Sequence, residues 1–172
     1  MRGKTLDIIN LSEFVLAYSF KNEIVINPLK LQKILYYLQA WHLVFFDNNP
    51  LFNEVPEAWV NGPVYRKVFN RFKNFQIYNP LTLKETYDVD KTFEESKLKL
   101  DLDSEQWDFL NAILRHYGLM PHEKLVYLTH SENPWNEARG DLSAFDYSDN
   151  KISYESMYQY YKIRHDSDNA KS

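Results

Sequence analysis

The chain has no cysteine, which removes disulfide staples, thiolate metal sites and cysteine nucleophiles and fits a reducing compartment. Glycine is nearly as scarce. Gly3, Gly62, Gly118 and Gly140 stand alone, so no phosphate-cradling loop or dinucleotide fingerprint assembles locally. No serine sits in a nucleophile-elbow pattern with an identifiable triad. Nowhere do about 18 apolar residues run without polar interruption, as a membrane span requires. The N-terminal MRGKTLDIINLSEFVLAYSF carries Asp7 and Glu13 and lacks a small-residue cleavage pattern, so no signal peptide is expected and the cytoplasm is the expected compartment. A formal charge of −4 leaves no global footprint for nucleic acid, only local basic faces.

What the chain does have is aromatic mass: 13 Tyr, 11 Phe and 4 Trp in 172 residues. Such side chains suit cores and interfaces alike. Leu11, Phe14, Val15 and Tyr18 recur at helical spacing and predict a first helix over Thr5 to Lys21. Asn27 as N-cap and Pro28 at the first helical position open a second, whose Leu31, Ile34, Leu35, Leu38, His42 and Phe45 keep the helical period. Leu51 to Asn61 reads as a short strand or extended segment. Gly62 and Pro63 are expected to start another helix, with Tyr65, Val68, Phe69, Phe72 and Phe75 inward and Arg66, Lys67, Asn70, Arg71 and Lys73 outward. Alternation over Lys97 to Leu102 permits a short strand. Asp103 or Ser104 then caps a helix that stops at Gly118, Pro121 begins the next, and Asn133 with Pro134 marks a turn. DLSAFDYSDN reads as loop, Ser153 caps a final helix, and the chain beyond Arg164 is polar. The sum is a predominantly helical α+β domain over residues 1–165, with about six helices, a few short strands and a frayed tail at 166–172.

The chemistry on offer is thin. His116, His122 and His130 with Glu123 supply imidazole and carboxylate groups, but their spacing matches no zinc signature and surface or helix-end histidines account for them. Glu54 and Glu57 form a carboxylate pair only if a dry site separates their pKa values; solvated connector charges explain them more simply. No metal or cofactor is expected, and no catalysis. Surface candidates remain. Arg66, Asn70 and Arg71 on the basic helix face suit a solvated surface, an acidic protein partner or, least well, nucleic-acid phosphates. Trp59 and Tyr65 fit either core burial or partner anchoring, and Tyr154 and Tyr158 share one face of the last helix with Tyr161.

Three blocks in order resemble the Panacea antitoxin domain family, SocA-like and related to phage-associated GepA proteins. They are KLQKILYYLQAWHL at Lys30 to Leu43, EAWVNGPVYRKVFNRFK at Glu57 to Lys73 and LTHSENPWNEAR at Leu128 to Arg139. The resemblance implies an antitoxin that neutralises a separately encoded toxin by protein contact, with the toxin gene nearby and a phage or mobile-element setting. Since family members face unrelated toxins, it does not name the partner. It also raises a proteolytic adaptor delivering toxin to a ClpXP-type protease, while the basic face of Arg66, Asn70 and Arg71 keeps a nucleic-acid-binding phage regulator as a further alternative. The expected partner surface is Trp59, Tyr65, Arg66, Asn70, Arg71, Tyr154 and Tyr158. Self-association is compatible with the sequence; membrane contact is not expected.

Overall fold

The computed structural model describes residues 4–172; the first three residues of the expected 1–165 domain lie outside that range. Eight helices and one two-stranded sheet make up the described chain: α1 Ile8–Lys21, α2 Pro28–Phe45, β1 Glu57–Trp59, β2 Gly62–Val64, α3 Arg66–Phe72, α4 Val89–Leu100, α5 Ser104–Gly118, α6 His122–Ser131, α7 Asn133–Arg139 and α8 Tyr154–Ala170. The class is α+β and predominantly helical, as the sequence predicts, with two helices more than expected.

Helix α2 is the axis of the fold. Asn27 caps it by accepting from the Lys30 N–H at 2.8 Å, and Pro28 occupies the first turn, where its missing N–H costs nothing. All its residues except Trp41 and Phe45 are buried. A helix apolar enough to be enclosed on every side needs neighbours on every side. It packs against α1, α3, α5, α6, α8 and β2. Its polar side chains meet the backbone of those neighbours. Gln39 donates to the Phe52 carbonyl and accepts from the Leu51 N–H, both at 2.7 Å, while Lys30 donates to the Gly118 carbonyl at 2.6 Å. Each bond satisfies a buried polar group that would otherwise cost about 1–3 kcal/mol.

Four expectations are corrected. Gly62 and Pro63 do not start a helix: β2 comes first, antiparallel to β1 with Trp59 opposite Gly62, and α3 begins only at Arg66. Gly62 has φ +99°, and an added Cβ would lie 2.7 Å from both Lys33 Cε and Thr129 Oγ1. The position therefore requires glycine for conformation and for space. Lys97 to Leu100 is helical rather than extended. Asp88 caps α4, and Phe93, Ser96 and Leu100 at helical spacing turn toward the core, where Phe93 meets Phe14 at 5.4 Å. Asn133 and Pro134 open α7 instead of a turn, by the same first-turn proline logic as Pro28. Beyond Arg164, α8 continues to Ala170.

Candidate functional site

The β-hairpin is mostly buried and anchored from several sides, with Trp59 half-buried beside its turn. Gln32 clamps Tyr65 in both directions, donating to its carbonyl at 3.2 Å and accepting from its N–H at 2.8 Å. Lys33, fully buried, donates to the Pro63 carbonyl at 2.9 Å, and burial without an opposing carboxylate lowers its pKa to about 7. From the other side Trp135 Nε1 donates to the Trp59 carbonyl at 2.8 Å, and Arg139 to the Ala58 carbonyl at 3.0 Å. His130 stacks on Trp135 with centroids 4.2 Å apart, and its Nε2 is buried without a partner among the described residues. Burial pushes its pKa down.

Glu57 is the electrostatic centre. Burial alone would raise its carboxyl, but donors from Arg66, Trp59 and Lys151 outweigh that and hold it at about 2. Arg66 grips it in a two-pronged contact at 3.0 and 2.7 Å, Trp59 Nε1 donates at 2.6 Å and Lys151 at 3.0 Å. A planar guanidinium matches a carboxylate in this way, where an ammonium contributes a point charge. The same Arg66 lies 5.2 Å from the centre of the Trp59 ring.

Beside Trp59 opens an apolar slot of about 100 Å³. Its walls include Leu29, Trp59, Val64, Phe69 and Phe72, and Lys73 stands at its edge. Trp59 and Phe69 meet edge-on at 4.9 Å. Small-molecule pockets usually begin at about 300 Å³, so the slot is scaled to one large side chain. Asn70 and Arg71 are exposed on α3, and Arg71 approaches Glu13 at 3.8 Å. Thus Trp59, Arg66, Asn70 and Arg71 belong to one hairpin and α3 region, as their sequence proximity anticipates.

The remaining candidates fall elsewhere. Tyr65 is fully buried, its ring edge-on to Phe52 at 5.1 Å, so it leaves the exposed face and joins the core. The Tyr154 hydroxyl lies within hydrogen-bond distance of the Phe52 and Glu54 carbonyls, at 2.9 and 2.6 Å, tying α8 to the connector. Tyr158 is half-buried against the core. His122 and His130 sit at opposite ends of α6, about 12 Å apart along the axis at 1.5 Å per residue. No group of three metal-ligating side chains forms among the described residues. Glu54 and Glu57 take separate cations, Lys67 and the Arg66/Lys151 couple, and so do not form a shared site. A second, open groove of about 460 Å³ runs between α2, α5 and α8, lined by Trp41, Phe45, Phe109 and Tyr117 among others.

Sequence reasoning missed the polar hubs. Lys33 was indistinguishable from other helix lysines. Glu132, which accepts from the Tyr37 hydroxyl and from Arg164 at 2.9 Å, lies in a stretch read as a turn. Its own carboxyl is pushed up by burial, against the opposing pull of Tyr37 and Arg164.

These hubs coincide with a recognisable unit. The family described as antitoxin SocA-like, Panacea domain, matches residues 31–136, more than half of the chain. The chain belongs to this family. No curated protein and no solved structure gives a significant match. The matched Panacea region runs from the first turn of α2 into α7 and encloses the hairpin, most of the slot's wall, Lys33, Glu57, Gly62, Glu132 and Trp135. Outside it lie α1, the end of α7 with Arg139, the following loop and α8. The Panacea assignment makes this an antitoxin-like domain, for which a protein partner is the general expectation. Among the described residues no helix is long and apolar enough to cross a membrane.

Proposed function

We propose that this Panacea domain is the antitoxin of a toxin–antitoxin pair and neutralises its cognate toxin by direct, stoichiometric binding rather than by turnover. The family match over residues 31–136 carries this reading. The hairpin and α3 region supports it physically. A rigid platform displays Trp59 and Arg66, side-chain types enriched at energetic centres of protein interfaces, beside a slot sized for a partner side chain. Rigidity matters because a pre-organised surface loses less conformational freedom on binding. A phosphate-reading role has less support, since Arg66 is committed to Glu57 and Arg71 faces Glu13.

The test is co-expression with the toxin encoded beside its gene. Rescue of growth together with a complex on gel filtration is expected, and Trp59→Ala should weaken both. No rescue and no complex with the wild-type chain would sink the assignment. Rescue that disappears when an energy-dependent protease is inactivated would replace it with the adaptor reading.

A further inference from the structure

The loop Gly140 to Asn150 joins α7 to the segment before α8 and is tightly tied down. Arg139, buried to 3% exposure, donates to the Ser143 and Asp146 carbonyls at 2.7 Å each, besides the Ala58 carbonyl of the hairpin. Asp146 accepts from the Ser143 N–H at 2.8 Å, and Asn150 donates to the Ala138 carbonyl at 3.0 Å while its own carbonyl receives the Ala58 N–H at 2.8 Å. Yet this fixed loop holds its aromatics in solvent. Phe145 is 90% exposed and Tyr147 73%. A phenyl ring so placed adds almost nothing to folding, because little of its area leaves water.

Charge is as one-sided as exposure. The loop carries Asp141, Asp146 and Asp149 and no lysine or arginine, and none of the three joins an ion pair among the described residues. Its natural complement is an apolar slot with a cation at the edge. The same molecule has one, beside Trp59, with Lys73 at its edge and likewise without an ion-pair partner among the described residues. The two features are neighbours. Arg66 has its charged form favoured first by Glu57 and further by the nearby Tyr147 side chain, and Arg66 also overlies Trp59, which lines the slot.

We propose that the chain pairs with a second copy of itself through this face, the Phe145 ring of each copy entering the slot of the other with the loop aspartates toward Lys73. Because the loop that carries the knob and the wall of the slot both border the Trp59 and Arg66 strip, a two-fold axis through that strip is the arrangement in which both contacts form at once. Such a contact is self-complementary and closes at two copies. The slot's volume suits one aromatic side chain, and the fixed loop presents that side chain without an ordering step. The pairing does not depend on the toxin assignment.

Sedimentation velocity of the full chain over a concentration series into the high micromolar range tests it. A monomer–dimer equilibrium is expected for the wild type. Phe145→Ala should weaken it by at least about tenfold, with the thermal midpoint unchanged at concentrations low enough for the chain to be monomeric, and Lys73→Glu should weaken it as well. A wild-type monomer throughout the series, a dimer indifferent to Phe145→Ala, or a dimer indifferent to Lys73→Glu would each overturn the proposal.

Discussion

Replacing Lys33 with methionine gives the sharpest test of how the platform is held. The amine is fully buried, touches no carboxylate, and has its pKa lowered from 10.5 to about 7 by burial. The folded value lies below the unfolded one, so the unfolded chain binds the extra proton between them. The term therefore opposes folding at and below neutral pH and fades as pH climbs toward the unfolded value. Its slope approaches about 1.4 kcal/mol per pH unit, and from about pH 7 to about pH 9.5 it integrates to about 3 kcal/mol of stability gained. Lys33→Met keeps most of the volume, removes the titration and leaves the Pro63 carbonyl without its donor, a pH-independent cost of about 1–3 kcal/mol. Urea unfolding of both proteins across that range should show a wild type whose stability rises relative to the variant by about 3 kcal/mol. Other groups cancel in the difference, and staying below pH 10 limits ionisation of unfolded tyrosines. Parallel profiles would refute the picture of a dry, unpaired lysine beneath the hairpin.

Gly62→Ala should destabilise by about 2–4 kcal/mol, read from the shift in urea midpoint, because it combines a positive φ with contacts at 2.7 Å to Lys33 and Thr129. Glu57→Gln should remove a stabilisation that is fully present above pH 4.5 and lost as pH falls toward about 2, worth up to about 3 kcal/mol. Wild type and variant should thus differ clearly in unfolding free energy at neutral pH and converge in acid; an undiminished gap at low pH would contradict the ion-pair account.

Much of the architecture was legible because helix-start chemistry is local. Asn27 with Pro28 and Ser153 cap as expected, and of the pair Asp103 or Ser104 it is Asp103 that caps, forming the full reciprocal box with Gln106. Errors arose where one local signal served two structures. Alternating Lys97 to Leu102 resembles a strand, but the helical spacing of Phe93, Ser96 and Leu100 wins because α1 offers a surface for it. Gly62 and Pro63 read as a helix start because proline favours that position; pairing with β1 took precedence. Of the candidate site, Trp59, Arg66, Asn70 and Arg71 lie close in sequence and so could be grouped by sequence alone. The hubs could not. Glu57 finds Lys151 across 94 residues, and Arg139 reaches Ala58 across 81, separations that no local pattern encodes.

The enclosure of α2 divides the molecule into a part that cannot drift and a part that can. Nearly every α2 side chain has a packing or hydrogen-bonding duty to a neighbouring segment, so a substitution there disturbs several elements at once and offers a binding partner nothing new. Residues 73–88 and the loop before α8, by contrast, are mostly exposed and contribute little to the core. Inheritance of the scaffold and invention of new specificities can therefore proceed on separate residues, and a designer redirecting this domain would randomise those margins while leaving its central helix untouched.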